Sequence, residues 1–578
     1  MLNIYRYIIL FFLVLPVQLF SQITVSGFVT DEVTGEALFG TNILIYKDSL
    51  NLAGLPLNGT ATNSYGFYAV PKLLSGKYFL VARYLGYKPL IREINIISST
   101  ESLQYNFELI HEEIKLEKIF ITGEKSDENK ISTIDISPEL LNKLPGLSGE
   151  AEIIKSLQLL PGVQVANELS SGLYIRGGSP DQNLTLVDGT ILYNPSHLGN
   201  FASTFNSDAV QSIRLIKGAF PAEYGGRLSS VLDIRLRSGT KEKNKGIIGV
   251  GTLSSRLLLE GPLGENATYI ISGRIMYYDV LQKKIFNSTI TPWYNFYDLN
   301  GKISYNLSTS DILWIEGFMS RDHIYSPPEN KQIAYGIEWE NTAVTLNWLK
   351  ISSKSTFLNS SISYVDYRFR SILTDNTANS LTAANFSSSI LKDLFLKSSA
   401  EVHLQENKVI ETGAELAIHN YNLIYSDFYN EVMENNLNAQ PGIISAEASL
   451  YFKYDWRIFG NLQTSTGARF YYFRSQKYYR FEPRLSASYL ITDDFHLNAA
   501  FAIAHQFLHL IIRNDISLPT DLWYPSSKVI NPGRSTQYVF GFDSYFNNQE
   551  YQFSVEGYYK WMANLYEFKT AAVYQPGE

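Results

Sequence analysis

Cysteine is absent from all 578 residues. That excludes a disulfide framework, thiolate metal sites, a cysteine nucleophile and a lipid-modified N-terminal cysteine. Charge is scarce too. Asp, Glu, Lys and Arg make up 18% of the chain, against roughly 25% in an average soluble domain. A net charge of −8 leaves no basic footprint, so nucleic acid is not expected as a partner. Beyond the first residues, no apolar run approaches the ~20 residues that a spanning helix needs. No Gly-rich loop followed by Lys-Ser/Thr offers a nucleotide site. What the chain has in quantity is aromatic surface: its 40 Tyr and 33 Phe together outnumber the 48 Lys and Arg. That balance suits strands that meet lipid.

Met1 to Gln22 reads as a secretory signal peptide. Arg6 precedes an apolar stretch from Ile8 to Leu15, and Ser21 supplies a small residue at the cleavage point. A membrane anchor is the alternative, disfavoured by the shortness of the run. An exported chain with no spanning helix is either released or built into the membrane as a barrel, because only helices and closed sheets satisfy their backbone there.

Residues 23–110 hold short strand-like runs at Thr24–Thr30, Asn42–Tyr46, Gly66–Val70, Lys77–Tyr84 and Ile91–Ile97, separated by turn residues. This spacing predicts a small β-sandwich with Phe28, Ile43, Ile45, Phe67, Tyr78 and Leu80 in its core. Residues 111–130 form a polar linker in which Ile119-Phe120-Ile121-Thr122 is strand-like. That run is either the last strand of the sandwich or an exposed strand waiting for a partner. Residues 131–243 mix helical patterns at Pro138–Leu141 and Ala151–Leu160 with Gly-rich turns, as in an α+β unit.

From 244 to 578 apolar and polar residues alternate. Leu299, Gly301, Ile303, Tyr305 and Leu307 oppose Asn300, Lys302, Ser304 and Asn306, and Ile410 to Ile418 and Tyr551 to Tyr559 repeat the pattern. Period two gives each strand one apolar and one polar face, which a soluble sandwich also shows. Segment lengths of about 10 residues and terminal aromatic clusters favour a membrane barrel. The clusters are Tyr277-Tyr278, Trp293-Tyr294, Tyr471-Tyr472-Phe473, Tyr478-Tyr479 and Tyr558-Tyr559. Short turns alternate with polar loops such as Asp375 to Ser389 and Tyr425 to Gln440. The expected fold is mainly β: an N-terminal β-sandwich, an α+β unit and an antiparallel transmembrane β-barrel.

Five strings in the middle region carry a resemblance. They are Leu157 to Val163 with Pro161-Gly162, Ile175-Arg176-Gly177-Gly178 with Asp181-Gln182-Asn183, Leu186-Val187-Asp188-Gly189, Ile213 to Lys217-Gly218, and Pro221-Ala222-Glu223-Tyr224-Gly225-Gly226-Arg227. In this order, directly before a barrel pattern, they resemble the plug of TonB-dependent outer-membrane receptors. Val25 to Val29, Gly35-Glu36 and Asn63 to Tyr68 are similar to the carboxypeptidase-regulatory-like domain that one branch of that family carries. The resemblance places the TonB box at Ile119, Phe120, Ile121 and Thr122. It implies a plug held in a lumen and loosened when the periplasmic protein TonB pulls that box. It further implies outer-membrane lipid around the barrel, a small-molecule or oligosaccharide ligand, and room for a surface lipoprotein partner. No cofactor and no metal are expected.

By the same resemblance, Arg176 and Arg227 are plug charges meeting barrel carboxylates such as Glu401 or Glu415, with solvated loop charges as the alternative. Gly177, Gly178, Gly189, Gly218 and Gly225 read as turn formers. Asp188, Lys217 and Tyr224 complete the plug set. His505 and His509 lie at i, i+4 and could share a helical face, but Gln506 replaces the Glu of a zinc-peptidase motif. No catalytic constellation is visible, so an enzyme is not expected. At roughly 20–25 residues per strand, residues 245–578 supply about 13–17 strands. The family's barrel has about 22, so the expectation is an incomplete barrel. The functional expectation is an importer of a scarce, bulky nutrient of the siderophore, cobalamin or glycan type. The alternative is a surface binding or assembly module without active transport.

Overall fold

The computed structural model describes residues 23–47, 56–97, 103–112, 131–136, 152–165, 172–197, 203–284, 293–326, 333–375, 382–405, 407–426, 442–492, 494–511, 522–546 and 551–566. The signal peptide, the run Ile119 to Thr122 and the helix expected at Pro138–Leu141 lie outside the described residues.

The sandwich forms as two sheets. One orders Phe67–Leu73, Ile23–Asp31 and Leu103–Gln104, with Phe107–Leu109 also on Ile23–Asp31; the other orders Asn58–Ala61, Asn42–Tyr46, Gly76–Arg83 and Leu90–Ile96. Ile43, Ile45, Tyr78 and Leu80 fill its core, as expected. Phe28 and Phe67 are buried too, but in a different cluster with Trp314, Leu349 and Phe357 of the following region. Two residues read as sandwich core are contact residues instead.

The middle region is a five-stranded mixed sheet in the order Thr190–Ile191, Asn183–Val187, Ser230–Leu236, Val210–Ile216, Thr133–Ile136. Asn183–Val187 and Ser230–Leu236 run parallel, and the other pairs are antiparallel. A short helix, Ile153–Gln158, stands within the span expected to be helical. It buries Ile153, Ile154 and Leu157.

The rest is one antiparallel sheet of 15 strands running from Lys245–Val250 to Tyr551–Ala563. Among the described residues these two outermost strands have neighbours on one side only. A hairpin, Leu508–Ile511 with Leu522–Pro525, interrupts the order between Phe495–Gln506 and Gly533–Phe546. Several strands are longer than the expected ten residues. Thr382–Gln405 has 24, absorbing residues 382–389 that were expected to be loop.

Burial along this sheet is inverted relative to a soluble fold. Leu299 and Ile303 are 49% and 45% exposed, while Asn300 and Lys302 between them are 4% and 6%. Ser272 and Arg274 are buried while their apolar neighbours Ile271 and Ile275 are exposed. The apolar face therefore looks outward and the polar face inward, as a lipid-embedded barrel requires. Among the described residues no helix is long and apolar enough to cross a membrane. The aromatic doublets do not all form girdles. Adjacent strand residues face opposite ways, so Tyr294, Tyr471 and Phe473 point inward and are buried, whereas Tyr479 and Tyr559 are exposed. An Ile271→Arg substitution is expected to lower barrel stability in lipid by about 2 kcal/mol, while Ile271→Leu leaves it unchanged. Unfolding titrations in lipid vesicles check this.

Candidate functional site

The five-stranded unit sits inside the curve of the large sheet, and the seam between them combines an apolar cluster, in which Phe205 meets Phe318, with buried ion pairs. Arg176 is its most heavily engaged expected residue. It lies in a turn at φ +48°, is 6% exposed, and pairs with the carboxylate of Glu556 on the barrel wall. Its guanidinium also donates to the Ser132 hydroxyl at 3.0 Å and lies 4.9 Å from the Tyr558 ring centre. Ser132 in turn donates to Glu556 twice, from its backbone N–H at 2.9 Å and its hydroxyl at 3.1 Å. One barrel carboxylate thus holds both Arg176 and the first described stretch after the linker. Among the described residues that stretch, Thr133–Ile136, is the edge strand of the plug sheet and pairs only with Val210–Ile216.

Arg227 behaves differently. Its guanidinium lies 5.8 Å and 5.4 Å from the Tyr193 and Trp523 ring centres and donates to the Gly226 carbonyl. The carboxylates named beforehand as partners are engaged elsewhere. Glu415 pairs with Arg469 of the wall itself, and Glu401 with His403 and with Asn63 of the sandwich. Inward-facing strand positions were legible, but which charge meets which was not.

Asp188 takes a turn position at φ +45° and binds Lys302 at 2.9 Å. Burial is the largest influence and works against its charge, but Lys302, a hydrogen bond with Glu316 and Arg235 together outweigh it and hold the carboxyl below its ordinary range. The Lys217 backbone N–H donates to Ser132 at 2.9 Å, and burial lowers the pKa of its ammonium. The Tyr224 hydroxyl donates to Asp233 at 3.3 Å. Gly177, Gly189 and Gly218 occupy turns on the same unit. Gly225 and Gly178 have a steric reason. A Cβ on Gly225 would overlap the Tyr471 hydroxyl and the Arg469 side chain, and one on Gly178 would overlap Ser229. Both are points where the plug backbone must approach a neighbour closely.

Sequence reasoning missed the most buried polar contact. His197 is fully buried, with Nε2 at 2.8 Å from Asp298 and Nδ1 at 2.7 Å from Asp322, both on the wall. Arg274 closes the network onto Asp298 at 2.7 Å and Glu152 at 3.4 Å. Burial alone would lower the His197 pKa, but the carboxylates of Asp298 and Asp322 push it up to about 9. Asp298 and Asp322 stand at inward positions of alternating strands, a signal that was available. His197 itself lies outside any strand or helix and carries none. His505 and His509 prove to lie on strands, not a helix: His505 faces Glu482 and His509 faces Ser526. No cluster of metal-ligating side chains occurs among the described residues.

Comparison with known proteins agrees with this arrangement. Residues 129–230 match the TonB-dependent Receptor Plug Domain, and residues 25–121 match the CarboxypepD_reg-like domain. The chain thus carries a plug domain of the TonB-dependent receptor type directly before its large antiparallel sheet, and a CarboxypepD_reg-like domain ahead of it. It is 26% identical over 228 residues to the TonB-dependent transporter Oar of Myxococcus xanthus, covering 38% of this chain and 21% of that protein. It is 27% identical over 160 residues to the probable TonB-dependent siderophore receptor PirA of Acinetobacter baumannii, covering 25% of this chain and 21% of that one. The matched part thus spans about a fifth of each of these relatives. In fold, it resembles the crystal structure of the siderophore receptor PirA from Pseudomonas aeruginosa, with TM-score 0.56, 17% identity and 75% of each chain covered. The ferric enterobactin receptor PfeA of the same organism gives TM-score 0.54 at 16% identity, covering 72% of this chain and 70% of that one.

Proposed function

We propose that this chain imports a scarce, bulky nutrient across the outer membrane, the plug being displaced when TonB pulls on Ile119 to Thr122. The observation that carries the reading is the position of Thr133–Ile136. The strand that follows the linker is, among the described residues, an edge strand with one neighbour, so tension from the linker meets the most easily peeled element of the plug first. Beside its apolar cluster, the interface that must then give way includes ion pairs and hydroxyl contacts. Such contacts can be exchanged for water, unlike a dry apolar seam. The A. baumannii relative is named as a probable siderophore receptor, which makes a ferric siderophore the first ligand class to try, ahead of cobalamin and glycans.

In-frame deletion of Ile119 to Thr122 is expected to abolish energised uptake while leaving surface binding intact. The measurement is growth of a receptor-deletion strain under iron, cobalamin and glycan limitation in turn, complemented with the gene carrying or lacking the deletion. Undiminished growth without those four residues would refute coupling.

A further inference from the structure

The N-terminal sandwich is docked against the barrel. Phe28, Phe67 and Ala69 pack on Trp314, Leu349 and Phe357, with Phe67 stacked on Phe357 at 5.1 Å between ring centres. Hydrogen bonds flank this aromatic patch. Asn63 donates to Glu401 at 3.0 Å, and Asn359 donates to the Tyr65 hydroxyl at 2.6 Å. Gln104 and Asn106 both donate to the Thr309 carbonyl, at 2.7 Å and 3.0 Å. Thr309 sits in the tight turn between Trp293–Asn306 and Asp311–Ser326. Phe357 and Asn359 follow the turn after Ile333–Ser353, and Glu401 precedes the one between Thr382–Gln405 and Lys408–Ser426. Short turns mark the periplasmic rim of an outer-membrane barrel, so the sandwich covers that rim. It also grips the plug's exit strand: Arg237 is shared between Glu36 and Glu260, and Lys241 pairs with Glu108.

Two cavities of about 260 and 380 Å³ lie between sandwich, plug and wall. A solute that passed the plug would enter this space with the sandwich across its way out. We propose that the sandwich is a second gate, closing the periplasmic mouth in series with the plug and released by the same pull. The linker leaves the sandwich after Glu112 and enters the plug before Ser132, so tension applied between them acts on both. Undocking would bare Phe28 and Phe67 to water, which favours reclosure once tension ends.

The lack of native cysteine makes the test unambiguous. Ser304 lines the larger cavity. In the full chain in lipid nanodiscs, Ser304→Cys should react slowly with a polyethylene-glycol maleimide. Adding Phe357→Ala, Asn359→Ala and Glu401→Ala, which remove the sandwich's partners on the wall, should speed labelling at least tenfold, with barrel integrity checked by heat-modifiable migration. Equal rates in the two proteins would overturn the gate. The second arm rests on the import reading. Asn63→Cys with Glu401→Cys, bridged in cells by a short reducible bis-methanethiosulfonate, should stop nutrient-limited growth, and a reductant should restore it. Growth of the bridged strain equal to that of its single-cysteine controls overturns the gate. If the controls and the unsubstituted chain also fail to support growth, the import reading falls instead, and the labelling rates decide the gate alone.

Discussion

Replacing Glu556 with alanine is expected to destabilise the seated plug by about 3 kcal/mol, because it strands a buried guanidinium. Arg176 has its ion pair only with this carboxylate among the described residues, and Ser132 loses two acceptors at the same time. Arg176→Ala should be damaging too, and the double substitution should fall well short of the sum of the two singles, since both remove one interaction. The check is a double-mutant cycle on thermal unfolding of the plug in detergent, with protease sensitivity of the 113–130 linker as a local readout. Additive losses would show that the two groups do not act on each other. In cells, early release of the first plug strand should make the receptor permissive to large hydrophilic antibiotics that the unsubstituted chain excludes.

The second large effect is pH-dependent and belongs to His197. Its pKa is raised from 6.5 to about 9 in the assembled molecule, so the proton is bound more tightly with the plug seated than with it unfolded. The resulting stabilisation is fully present below pH 6.5 and is lost as pH rises through about 9. At one pKa unit per 1.36 kcal/mol the full effect is about 3 kcal/mol. Between pH 6.5 and 9.5 the unsubstituted receptor should therefore lose plug stability steeply. His197→Gln should be weaker at pH 6.5 and nearly flat across that range. Scanning calorimetry of both proteins at stepped pH gives the answer, and parallel slopes would remove His197 as the titrating group.

The architecture was largely legible because it rests on local rules. Strand runs in the sandwich fall within a few residues of their observed bounds, and the alternation at Leu299 to Leu307 announced which residues face outward. Asn58–Ala61 escaped notice because Asn and Gly in a four-residue run carry no strand propensity. The charged seam was legible only by half. Inward positions follow from period two, but pairing depends on where distant residues land: Arg176 and Glu556 are 380 positions apart. Phe28 and Phe67 show the same limit. A buried aromatic looks identical in sequence whether it fills its own domain or presses on another.

The inward-facing wall at Asn300, Lys302, Asp298 and Arg274 has one further consequence. At these positions a departing cork leaves wet, hydrophilic stretches of bore that offer passing cargo little to cling to. Each dangling group it abandons finds solvent at once. Those stretches can be vacated and refilled many times without fouling, which a conduit lined wholly with hydrocarbon would not permit.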